Sequence, residues 1–179
     1  MHLRIRTFVG VLALILGCTF VFGQTISNTF KPSAADQKLG VMVGSWIAHG
    51  TLKTSDSAPP DKYSSTSTCG WTADRFGLIC HSVEDIPGMG KVAVTSIVAY
   101  DSHSRSYLSL EVGASGTRLS RGNVEGNTWT WTSTPTNETE RLTVKYTSQD
   151  SCHWTLEVGP NWQSLKPIMQ VTETRLASK

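Results

Sequence analysis

Charge is scarce in this chain of 179 residues: Asp, Glu, Lys and Arg make up 17% of it, against roughly 25% in an ordinary globular protein. That excludes a long coiled coil, which is rich in Glu, Lys and Leu. No run of five like charges occurs, which excludes a charged disordered tail. Ser and Thr fill the gap, and they suit strands better than helices. No Cys-x-x-Cys and no metal-ligand spacing is present, so a zinc site has no support. Equally absent are a Gly-rich phosphate loop, an alternation of strands with helices, a Ser–His–Asp arrangement and an internal repeat. At about 100–200 residues per domain, the length allows one domain.

One long apolar run exists, Phe8 to Phe22, preceded by Arg4 and Arg6 and followed by Gly23. It is short for a membrane span, which needs about 20 residues, and it has the layout of a secretory signal. The domain plan is therefore a signal peptide over residues 1–23, a flexible leader over 24–32 and a single domain over 33–179. A second reading stays open: Leu16-Gly17-Cys18 partly resembles a bacterial lipobox, which would lipidate Cys18 and tether the protein to a membrane. The expected location is secreted or periplasmic. Without Arg4 and Arg6, 14 basic residues face 14 acidic ones. This balance gives no footprint for nucleic acid, and none for an anionic membrane once the signal is cleaved.

Three of the four cysteines, Cys69, Cys80 and Cys152, lie beyond the signal. In an oxidising compartment disulfides persist. A hairpin turn at Thr72–Gly77 would set Trp71 opposite Leu78 and Cys69 opposite Cys80, close enough to bridge with slight adjustment. Cys152 shares its register with Trp154, Leu156 and Val158, so it is expected inside as a free thiol.

Ser33, followed by Asp36, signals a short helix over Ala34 to Met42. Strand-like segments then recur at about 10–12 residues: 44–54, 62–71, 77–84, 91–100, 105–112, 116–123, 126–134, 140–148, 152–159 and 166–176. Ten strands joined by short turns predict an all-β, antiparallel up-and-down barrel that closes on itself. Alternation sends Leu142, Val144, Tyr146, Trp129, Trp131 and Trp154 inward. Strand 91–100 is apolar on both faces and is expected to be covered on both sides. His81, on a register with Ile79 and Val83, is expected inside. His49 and His153 are expected outside, and His103 in a turn.

Gly44-Ser-Trp46 opens the first strand, and Arg175 stands near the end of the last. This resembles the calycin barrels, the lipocalins and fatty-acid-binding proteins. The resemblance implies that Trp46 packs beneath Arg175 and closes one end of the barrel. Leu39 to Trp46, Cys69-Gly-Trp71 through Leu78-Ile-Cys80, Val98 to Asp101 and Gly126 to Trp131 together resemble, more closely, a family of secreted bacterial proteins. That family is a calycin-like domain of unknown function and brings no reaction with it. The last strand departs from the lipocalin pattern. Met169, Val171, Glu173 and Arg175 share a face, and an inward Glu173 needs a partner, for which Arg175 is a candidate.

The leading functional reading is a small-molecule-binding barrel for a hydrophobic or amphipathic ligand. His81, Trp129, Trp131, Tyr146 and Trp154 would line its site, and Glu111 is a further candidate on the register of Tyr107. Aromatic groups with a few polar ones are how such sites are usually built. The alternative is an envelope-associated interaction module with a filled barrel and no ligand. An enzyme or a haem carrier through one inward His ranks lower. No catalytic residue, metal site or cofactor is assigned.

Overall fold

The computed structural model describes residues 31–55, 57–114, 116–134 and 138–177. The expected signal and most of the expected leader lie outside them. Ser33 caps α1 (Ala34–Lys38) as its sequence pattern predicts: its hydroxyl accepts from the Asp36 N–H at 3.2 Å, and the Asp36 carboxylate accepts from the Ser33 N–H at 2.7 Å. A 3-10 turn, Leu39–Met42, continues the helix.

Ten strands follow among the described residues. They are β1 (Gly44–Leu52), β2 (Asp61–Trp71), β3 (Gly77–Ile86), β4 (Gly90–Asp101), β5 (Ser106–Gly113), β6 (Gly116–Glu125), β7 (Thr128–Ser133), β8 (Thr139–Ser148), β9 (Ser151–Gly159) and β10 (Lys166–Arg175). Each pairs antiparallel with the next, and β10 returns to β1, so the sheet is a closed barrel. Closure satisfies the backbone groups that an edge strand would leave exposed.

One end of the barrel is plugged. Leu39, wholly buried, packs with Leu78, Val98, Tyr107, Trp129 and Trp131, while the Tyr107 hydroxyl donates to the Ala35 carbonyl at 2.9 Å. Trp131 lies flat against Gly122, where an added Cβ would come within 2.5 Å of the indole. A second cluster, Ala48, Tyr63, Met169 and Val171, fills the wall where β1, β2 and β10 meet.

The closure implied by the calycin resemblance is present. The Arg175 guanidinium lies 4.2 Å from the Trp46 ring centroid, and Trp46 Nε1 donates to the Met42 carbonyl at 3.0 Å. Gly44, at φ +126°, passes beneath the guanidinium, and a Cβ there would stand 2.6 Å from Nη1. Glycine is thus required at this position both by conformation and by space. Arg175 is not the partner of Glu173. It turns instead to Asp150 and to the carbonyls of Val41, Val43 and Gln149.

The β2–β3 register sets Cys69 against Cys80 and Trp71 against Leu78, and the two cysteines form a disulfide. In the chain-entropy view, closing so short a loop contributes about 2–3 kcal/mol. Cys152 is free and wholly buried.

Across β3 to β6 the outer face is unusually apolar, while the inner face mixes buried apolar residues such as Leu78, Val92 and Val98 with polar ones. Ile79, Ile97, Leu110 and Leu119 stand in register on the outer surface, 40–59% exposed, with Val83 and Val112 beside them. The expectation that the strand at 91–100 is covered on both sides is therefore wrong: Ile97 is half exposed. The complementary positions, Ser82, Glu84, Ser96, Ser109, Glu111, Arg118 and Ser120, point inward.

Candidate functional site

Inside the barrel, above the plug, is a cavity of about 610 Å³. It extends to the far end, where Met89, 60% exposed, and Thr117 stand at the rim. One wall is aromatic and aliphatic: Trp131, Leu142, Val144, Tyr146, Trp154, Leu156 and Met169 from β7 to β10, with Trp46 and Tyr63 beside them. Tyr63 and Trp154 meet edge to face at 5.7 Å, as do Trp46 and Tyr146 at 6.2 Å. The facing wall, from β2 to β6, mixes Ile86, Val92, Val94 and Val98 with serines, Glu84, Glu111 and Arg118, and Glu140 of β8 and Glu173 of β10 add two further carboxyls. Serine is small, and this is why ten strands leave a void here rather than a filled core.

Arg118 organises the polar wall. Its Nε donates to Glu111 at 2.9 Å across the β5–β6 pair, and Nη1 donates to Glu140 at 3.1 Å. Glu140 also accepts from the Ser133 hydroxyl at 2.7 Å. Among the described residues, Glu84 and Glu173 are held by neutral donors rather than by an ion pair. Ser82 donates to Glu84 at 3.4 Å, and Ser67 to Glu173 at 3.4 Å. The Cys152 thiol donates to Glu173 at 3.6 Å.

Burial dominates the protonation of this interior. It raises Glu84 above the ordinary carboxylate range; Glu111 adds to that, and Arg118 opposes it. Burial also raises Glu173, against the hydrogen bonds from Cys152 and Ser67. Burial pushes the Cys152 thiol up to about 12, with the Glu173 charge next in effect. Cys152 is therefore a protonated, inert thiol at neutral pH. Tyr63 and Tyr146 are likewise raised, mainly by burial.

The two carboxyls make stability depend on pH. Their pKa values are raised in the folded state, so folding binds protons. The resulting stabilisation is complete below the ordinary carboxylate pKa and is lost as pH rises through the raised folded values. Glu84→Gln with Glu173→Gln is expected to be more stable than the wild type at pH 7 and to show a flatter dependence below it. Urea denaturation at several pH values between 4 and 8 measures both, and a double variant less stable at pH 7 would contradict the assignment.

Of the site residues expected from sequence, Trp131, Tyr146 and Trp154 are brought together in the cavity, and Glu111 joins them. Trp129 is not in the lining. It is 2% exposed and buried in the plug, with Tyr107 at 4.7 Å between ring centroids. His81 is a correction. It points outward, with Nδ1 3.1 Å from the Thr95 hydroxyl, because Cys80 and Ser82, its neighbours along β3, face the cavity. An inward His81 would have turned the hairpin cysteines outward, whereas both line the interior. The expectation of sparse polar content also fails. Glu84, Arg118 and the serines are not marked by alternation, because inward polar residues break the rule, whereas Glu140 shares the inward register of Leu142, Val144 and Tyr146. The clue available was Tyr107-x-Ser109-x-Glu111, an aromatic sharing its face with a carboxylate.

His49 and His153 are exposed on the outer surface. A groove of about 690 Å³ beside His49, Asp61, Lys62 and Asp85 opens to solvent and offers little enclosure. Among the described residues, no three or more His, Cys, Asp or Glu side chains are placed to hold a metal ion.

A closed ten-stranded up-and-down barrel, plugged at one end by a short helix and hollow above it, defines the calycin-like class. The chain belongs to the family described as "Protein of unknown function (DUF1579)", whose model matches residues 31–175. No curated protein matches it in sequence. Among solved structures, Rv2717c from M. tuberculosis is similar at a TM-score of 0.58 and 16% identity, covering 82% of this chain and 100% of that one. The S-type phycobiliprotein lyase CPES from Guillardia theta also gives a TM-score of 0.58, at 11% identity, covering 82% of this chain and 95% of that one. At such identities the likeness concerns the fold alone.

Proposed function

We propose that the barrel is an exported binding protein for one small hydrophobic or amphipathic molecule. The observation that carries this is the cavity itself. Its volume of about 610 Å³ falls within the roughly 300–1,000 Å³ of small-molecule sites, and its aromatic wall facing convergent polar groups is their usual construction. A barrel of similar fold is named as a phycobiliprotein lyase, an instance of this architecture in use on another molecule. A filled barrel without ligand, the alternative, is disfavoured by the void.

Titration with the neutral probe N-phenyl-1-naphthylamine tests the reading. Fluorescence should rise saturably to one probe per chain. Trp154→Ala should weaken binding by roughly tenfold, about 1.4 kcal/mol, through loss of ring contact. His81→Ala, on the outer face, should leave it unchanged. Absence of saturable binding to the folded wild type would refute the proposal.

Export rests on the basic and apolar start of the chain and is supported by the Cys69–Cys80 disulfide, a bond that persists in oxidising compartments. Intact mass of the exported protein should correspond to a chain beginning near Gln24 and fall by two hydrogens relative to the reduced form. A diacylated Cys18 would show tethering instead.

A further inference from the structure

We infer that the cavity selects a cationic amphiphile, whose protonated nitrogen sits against Glu84 and Glu111 and whose apolar body lies along Trp131 and Trp154. This rests on the reading that the cavity binds a small molecule, and it specifies which class.

The charge inventory is lopsided. Four carboxyl groups, Glu84, Glu111, Glu140 and Glu173, line the cavity together with one guanidinium, Arg118. Arg118 is committed to Glu111 and Glu140, so it neutralises part of that charge and has little left to offer an incoming anion. Within a partly desolvated interior, charges interact more strongly than in water. A ligand anion is therefore repelled, and a ligand cation replaces the proton that burial otherwise favours on Glu84. The opposite wall adds to the same preference. Aromatic faces attract cations and also cover apolar surface. Neither wall alone specifies a ligand. Carboxylates would serve a bare cation and the rings a bare hydrocarbon, but one cavity holding both fits a molecule with both parts. The serines between them, Ser82 and Ser96 among them, supply hydroxyl oxygens that accept from the remaining N–H groups of an ammonium.

Calorimetric titration of the exported protein at pH 7 with three matched probes tests this: 1-pyrenemethylamine, 1-pyrenemethanol and 1-pyrenecarboxylate. The amine should bind at least tenfold more tightly than the alcohol, and the carboxylate more weakly than either. Glu84→Gln, with the same shape and no charge, should reduce the amine-over-alcohol ratio at least fivefold and keep the alcohol within twofold of its wild-type affinity. Equal binding of amine and alcohol, or tightest binding of the carboxylate, would overturn the cation preference and leave the small-molecule reading standing. Failure of all three probes to bind would overturn both. The wild-type comparison decides the matter even if the variant does not fold.

Discussion

Trp46→Ala is expected to destabilise the barrel by about 3–5 kcal/mol, the range for truncating a buried Trp to Ala. Trp46 is 3% exposed, at the start of β1. Its indole does three things at once. One edge packs against Tyr146, its N–H satisfies the Met42 carbonyl, and its face supports the Arg175 guanidinium. Truncation removes apolar area and enlarges the void above the plug. It also leaves the Met42 carbonyl short of a donor where β1 meets the 3-10 turn. Trp46→Phe keeps most of the area and loses the N–H, so it should cost nearer 1–2 kcal/mol. Urea denaturation of both variants measures the difference. A Trp46→Ala variant within 1 kcal/mol of wild type would mean that the plug, and not this residue, closes the barrel.

Arg175→Ala should cost about 3 kcal/mol, or roughly 6–12 °C in Tm for a domain of this size. A single guanidinium ties two segments to β10 here, Val41–Val43 and the Gln149–Asp150 turn. Nη2 donates to Val41 and Gln149 carbonyls at 3.0 and 2.8 Å, Nη1 to the Val43 carbonyl, and Nε to Asp150 at 3.0 Å. Hydrogen bonds from charged donors contribute about 1.5–3 kcal/mol each when isolated, and the stacking on Trp46 about 0.5–2 kcal/mol. The sum overstates the loss, since water reaches some of these carbonyls and Asp150 is 72% exposed in its side chain. An exposed ion pair of that kind adds little. Lys at this position keeps the charge but has no planar fork with which to reach several carbonyls, so Arg175→Lys should recover only a minor part. The two sites share one contact. The Trp46→Ala, Arg175→Ala double variant should therefore lose less than the two single losses together, by about 0.5–3 kcal/mol. Strict additivity would deny the stacking any energetic role.

Much of the architecture was legible before any coordinates. Turn residues recurring every 10–12 positions marked all ten strands to within about two residues, and Ser33 with Asp36 marked the helix. These are local signals, set by backbone conformation and by hydrogen bonds a few residues apart. The hairpin register of Cys69 and Cys80 was legible for the same reason: a short turn fixes the pairing on either side of it. On β7 to β9 alternation also gave the correct inner face, because the wall there is largely apolar and its outer side is polar. On β3 the same rule gave the wrong face and sent His81 inward, while on β4 both faces read as apolar and alternation chose neither.

What the sequence by itself determined, then, was the number of strands, their bounds, their antiparallel order and one disulfide, all consequences of interactions within a hairpin or less. It also determined that each strand has two unlike faces, since successive side chains alternate. On β3, where both faces mix polar and apolar residues, which face turns inward was decided only by closure of the sheet. Trp46 faces the interior, Ser67 stands beside it on β2 and Ser82 beside Ser67 on β3. Neighbouring positions in register share a side, so the placement of one tryptophan fixes Ser82 and Glu84 inside and His81 and Val83 outside. That constraint passes through pairings between strands some 20 residues apart, and the strand's own residues carry no trace of it. The cavity arises in the same way: each small or charged inward residue is unremarkable in its own strand, and only the closed barrel sets Glu84, Glu111 and Arg118 across from Trp131 and Trp154.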